Sequence, residues 1–113
     1  MIELRIDKND KLPREVYGVY VNEVSVGDIK VSGKWLFWTS NPNVRNVKFQ
    51  FGNENTFFEV VDGLKKYKDD NGLKYLVVSS FDEGYVMKIG KDWIAKAGFF
   101  NIYNEDPHYF FLE

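Results

Sequence analysis

The chain has 113 residues, 44% of them hydrophobic, a formal net charge of -2 and no cysteine; its sequence pI is about 5.4. That length suits one domain over residues 1–113 with a core of its own, and the missing cysteines exclude disulfide frameworks, thiolate catalysis and cysteine-based zinc sites. Acidic and basic residues are interleaved rather than blocked, which lacks the footprint of a protein that neutralises many phosphates.

Aromatic residues make up 18% of the chain, with Phe 10, Tyr 7 and Trp 3, and such residues favour pleated, half-buried surfaces. At the N-terminus Ile2, Leu4 and Ile6 alternate with Glu3, Arg5 and Asp7, the period-2 pattern of a strand with one wet face. This stretch has no apolar h-region, so a signal peptide is not expected, and no apolar run reaches membrane-spanning length. The expectation is a soluble protein, cytoplasmic or virion-associated, with no membrane partner. "KNDKLP" reads as a turn. Residues 16–26, "VYGVYVNEVSV", read as β structure punctuated by Gly27 and Asp28. After "IKVSGKWLFW" the chain breaks at "TSNPN", and in "VKFQFG" Val47, Phe49 and Phe51 share one strand face.

Residues 56–61, "TFFEVV", read as a strand. "LKKYKDDNGLKYLVVSSF" reads as a hairpin about Asn71 and Gly72, a dipeptide suited to positive φ, with a helical "GLKKYK" as the alternative. "GYVMKIG" is a further strand. "KDWIAKAGFF" carries the best helix signal: Asp92 as cap, Trp93, Ile94 and Ala97 within one turn, Gly98 at a left-handed C′ position, and apolar Phe99 after it. Residues 87–99 resemble, loosely, the ending of swapped-hairpin DNA-binding and toxin domains, which would imply DNA binding or translation-related toxicity. No basic stripe surrounds them, and the same residues serve as a helix whose Trp93 and Ile94 plug an open end of the sheet. The last hairpin turns over residues 105–107. The expected fold is mainly β: an antiparallel sandwich or barrel of about eight short strands with one short helix near residues 91–98.

Chemistry is sparse. His108 is the single histidine, so a multi-histidine metal site from one chain is excluded, and its place after a turn in "DPHYFF" fits an edge residue better than a base. The adjacent pairs Asp69-Asp70, Asp82-Glu83 and Glu105-Asp106 sit beside Gly or Pro, as solvated loop acids do; a dyad needs carboxylates converging from separate elements. "KDDNGL" lacks the alternating oxygen ligands and closing Glu of a calcium loop, and phosphate loops and nucleophile elbows are absent. No enzyme, cofactor or metal is expected. An enzyme would need carboxylates such as Glu59, Asp82 or Glu83 in one pocket.

"KWLFWTSNPN" concentrates the remaining interest, because it puts large apolar groups on both faces of one strand. In an unbroken strand from Ile29, Trp35 and Phe37 join Ile29 and Val31 in the core, leaving Leu36 and Trp38 on a wet face. A bulge at Gly33 swaps the sets. Either set needs a cover: the helix near Trp93 or the C-terminal "YFFL", a partner, or a flat ligand. The candidate binding surface is Lys34, Leu36, Trp38, Asn41 and Asn43. The expected function is a non-enzymatic protein-interaction module, an inhibitor, adaptor or small structural subunit of the phage, viral or mobile-element accessory kind. Its partner is a protein or a second copy. The alternative is a module binding carbohydrate or single-stranded nucleic acid by aromatic stacking, although nucleic acid is disfavoured by charge.

Overall fold

The structure, a computed structural model, describes residues 3–8, 16–39, 54–79, 91–100 and 109–113. Among these residues six strands form one mixed sheet in chain order: β1 (Leu4–Asp7), β2 (Val16–Val21), β3 (Val24–Ser32), β4 (Trp35–Thr39), β5 (Tyr75–Ser79) and β6 (Tyr109–Leu112). Helix α1 (Glu54–Asp70) lies between β4 and β5 in sequence, and α2 (Lys91–Lys96) between β5 and β6. All neighbouring pairs are antiparallel except β4 with β5, which are parallel. Parallel neighbours need a long crossover, and α1 supplies it. The fold is mainly β as expected. Among the described residues the sheet is not closed into a barrel: β1 and β6 are its two end strands. The strands expected over residues 47–52 and 84–90 and the hairpin turn expected over 105–107 fall outside the described residues.

Two elements differ from the sequence reading. Residues 56–61 belong to α1, not to a strand, and their periodicity shows why. Phe57, Val60, Val61, Leu64 and Lys68 are all buried, the i, i+3, i+4, i+7, i+11 stripe of a helix lying on a core. Asn71 and Gly72 do not turn a hairpin; they end that helix. Gly72 has φ 66°, Gly72 N–H donates to the Asp69 carbonyl at 3.1 Å and Leu73 N–H to the Lys68 carbonyl at 2.9 Å. This is a Schellman cap. The expected helix near residues 91–98 is present as α2, and its end repeats the same motif. Gly98 has φ 96°, with Gly98 N–H on the Ala95 carbonyl and Phe99 N–H on the Ile94 carbonyl.

The 16–26 run is likewise divided. Asn22 and Glu23, at φ 48° and 67°, form the two-residue turn between β2 and β3, the mirror-image turn that matches strand twist. Asn22 is tied to Glu3, just before β1, through backbone and side chain, and Arg5 grips both oxygens of Glu23 at 3.1 and 2.9 Å. Gly27, at φ 114°, does not end a strand. It marks the bulge where the β2–β3 register shifts, so Val26 and Ile29 both reach the core.

That core lies between α1, α2 and one face of the sheet. Val19, Ile29, Leu36, Trp38, Leu76 and Val78 meet Phe57, Val60, Val61, Leu64 and Ile94 there. Each such side chain contributes roughly 1.5–3 kcal/mol by leaving water. Gly63 lets α1 approach β1, because a Cβ there would run into the Leu4 side chain. Lys68 is buried along its stem while its Nζ reaches Asp69 Oδ1 at 2.7 Å. No helix among the described residues is long and apolar enough to cross a membrane.

Candidate functional site

The turn between β3 and β4 decides which face each aromatic of "WLFW" takes. Gly33, at φ 60°, and Lys34 form a two-residue hairpin turn, so Ser32 stands opposite Trp35, Val31 opposite Leu36, and Ile29 opposite Trp38. Directly opposed residues share a face. Leu36 and Trp38 therefore join Ile29 on the helix-covered side, and both are 0% exposed.

The expectation that Leu36 and Trp38 offer a binding surface is corrected by this burial. Trp38 Nε1 donates to the Val26 carbonyl at 2.9 Å. Its ring stacks on Phe57 at 6.0 Å and 14°, and Phe57 in turn meets Trp93 at 6.0 Å. The cover is internal, and α1 supplies most of it beside the expected Trp93. Lys34 is exposed at the hairpin tip, while Asn41 and Asn43 lie outside the described residues.

The opposite face carries the other half of the run. Trp35 pairs across β4–β5 with Tyr75 and Phe37 with Val77, and Val77 pairs across β5–β6 with Phe111. Phe111 then forms an antiparallel bridge with Phe100, its two backbone hydrogen bonds at 2.7 and 2.8 Å. One row across the outer face thus reads Lys30, Phe37, Val77, Phe111, Phe100. Trp35 meets Phe111 at 5.4 Å and 83° and Tyr75 at 6.1 Å and 84°, edge-to-face geometry that aromatic quadrupoles favour. Val77 and Phe111 are buried as the floor of this cluster; Trp35, Phe37 and Tyr75 are half-buried; Phe100 is 43% exposed. Sequence reading missed Phe100 and Tyr75 because their placement depends on which strands become neighbours.

Lysines edge the same face. Lys30 stands opposite Phe37 and is exposed, as are Lys34 and Lys74. Lys74 Nζ lies 5.1 Å from the Tyr75 ring centroid, a cation–π distance. The Lys34 carbonyl accepts the N–H groups of Lys74 and Tyr75 at 2.6 and 3.2 Å, and Lys34 Nζ donates to the Gly72 carbonyl at 3.2 Å. The hairpin tip is thereby fastened to the segment that enters β5. Asp28 shares the outer face with Lys30 but is buried, and its Oδ1 has no hydrogen-bond partner. Burial pushes its carboxyl up from the usual 3.8 to about 6.

Other chemistry is thin here. Glu59 is exposed on α1, and Asp82, Glu83 and His108 lie outside the described residues. Among the described residues no cluster of three or more His, Asp or Glu side chains could hold a metal. A cavity of about 170 Å³ between α1 and α2, lined by Phe58, Val61, Asp62, Lys96 and Ala97, is below the usual size of a small-molecule pocket. No family model, curated protein or solved structure is found to match this chain.

Proposed function

We propose that this chain is a non-enzymatic protein-interaction module, an inhibitor, adaptor or small structural subunit, acting through the outer aromatic face of its sheet. One observation carries the reading: Trp35, Phe37 and Tyr75 stand half-buried with exposed Phe100 on the side opposite the α1 core. Aromatic side chains are enriched at interface centres, where they lend large area at small entropic cost. The partner is another protein or a second copy of the chain. A soluble setting, cytoplasmic or virion-associated, and an accessory role in a phage, virus or mobile element belong to the same proposal and rest on composition.

A photo-crosslinking amino acid placed at Ser32, beside Trp35, tests it. The expected result is an adduct of one defined mass that disappears in Trp35→Ser, a doubled mass marking self-association. Equal adducts from Lys66, on the exposed side of α1, would remove the proposal. A second reading, stacking of a sugar ring or nucleobase, is favoured by Lys34 and Lys74 flanking Trp35 and Tyr75; saturable quenching of tryptophan emission by a glycan or oligonucleotide, lost in Trp35→Phe, is its signature.

A further inference from the structure

We propose that the occupant of the outer aromatic face is an acidic, apolar-containing segment of a partner protein, an inference that rests on the interaction-module reading above. The argument is one of charge complementarity. Lys30 from β3, Lys34 from the hairpin tip and Lys74 at the entry to β5 are exposed around one aromatic floor. Among the described residues none of the three is in an ion pair with a carboxylate, whereas Arg5 is held by Asp7 and Glu23, Lys68 by Asp69, and Lys96 by Glu54. The cluster does not follow from overall composition, since the chain is net negative at -2. Of the strand carboxyls on this face among the described residues, Asp28 lies buried and is in no ion pair with Lys30, and Asp7, in the same row on β1, is held by Arg5.

An extended segment projects alternate side chains in opposite directions. Apolar residues at every second position can seat on Trp35, Phe37, Tyr75 and Phe100, while flanking carboxylates reach the ammonium groups at the rim. Charge pairs made beside that aromatic surface are less screened than in open water. A single-stranded nucleic acid fits less well. It carries one phosphate per nucleotide, it is repelled by a net negative chain, and among the described residues this rim offers point-charge lysines and no arginine fork. A short acidic segment brings fewer charges and places them only where the lysines stand.

The test is a random dodecapeptide display selection on the full chain, run in parallel on a Lys30→Glu, Lys74→Glu double variant. Both substituted positions are exposed, and unchanged circular dichroism and melting confirm that the variant folds. The expected outcome is an excess of Asp and Glu among peptides selected by the parent, with the excess shifting to Lys and Arg for the variant. A synthetic peptide from the parent selection should lose affinity by roughly ten-fold or more in Lys30→Ala, Lys74→Ala and weaken as salt rises. Selected peptides without acidic bias, no selection at all, or tight binding of an oligo-dT probe that needs the same lysines would each overturn the proposal. Unbiased peptides that still require Trp35 would do so while leaving the interaction-module reading standing; peptides indifferent to Trp35 and Tyr75 would remove both.

Discussion

Trp35 and Trp38 sit three residues apart on β4 and have opposite fates. On the inner face, Trp38 is 0% exposed, stacked against Phe57 and hydrogen-bonded through Nε1 to Val26. On the outer face, Trp35 is half-buried and held edge-on by Tyr75 and Phe111. Both faces of the strand are apolar, yet α1 covers only one. The difference teaches that an aromatic surplus in a strand is not itself a binding surface. What marks one is the part of the surplus left on the face away from the helix, beside lysines that form no ion pair among the described residues.

Removing the two indoles is the strongest way to break that comparison. Trp38→Ala should cost about 3–5 kcal/mol, because it opens a cavity and orphans the Val26 carbonyl. Trp35→Ala should cost about 1–2 kcal/mol, since its ring leaves a half-exposed site. Equal losses in urea unfolding would erase the distinction between the faces. Asp28 gives the next largest effect. Its native pKa of about 6 lies above 3.8, so the fold favours the protonated acid; its contribution is best below the lower value and is lost as pH rises through the upper one. The loss is on the order of 3 kcal/mol. Asp28→Asn should therefore raise the urea midpoint at neutral pH relative to the parent and leave little difference in acid. A parent and variant with parallel pH profiles would show that this carboxyl is solvated.

The inner face can be sharpened through Gly63. Gly63→Ala alone should stabilise less than helix propensity would give, because its methyl must displace the end of the Leu4 side chain. In a Leu4→Ala background the same change should stabilise by about 0.5–1 kcal/mol through helix propensity. Additive effects in the double-mutant cycle would mean that α1 and β1 are not so close. The smallest effect belongs to the outer rim: Lys30→Ala and Lys74→Ala should each move stability by less than about 0.5 kcal/mol. Thermal melts detecting a larger loss would assign those lysines to the fold rather than to recognition.

The first strand and α2 were legible because their signals are local. Alternation of Leu4, Arg5, Ile6 and Asp7 needs no partner to be read, and Gly98 followed by Phe99 states a helix end by itself. Helix α1 was hidden by its own opening: "TFFEVV" has strand propensity, and only the continuation through Leu64 and Lys68 shows the 3.6-residue stripe. Gly72 was read rightly as a positive-φ residue, but a hairpin and a helix cap ask for the same φ. The candidate site was half legible. "WLFW" pointed to β4 and to a surface, and the expectation placed Leu36 and Trp38 where Trp35 and Phe37 belong.

By itself the sequence determined the β-rich class, the absence of cysteine chemistry, the positive φ of Gly72 and Gly98 and the fact that both faces of one strand carry bulky apolar groups. Each of these is set by covalent structure or by neighbours within a few residues. Which face became core was decided only in three dimensions. A two-residue turn at Gly33 and Lys34 set the register, α1 crossed to make β5 parallel to β4, and one face thereby gained a helix. Tyr75 and Phe100 joined Trp35 and Phe37 on the other by strand pairing, a contact between residues far apart in the chain that local pattern does not encode.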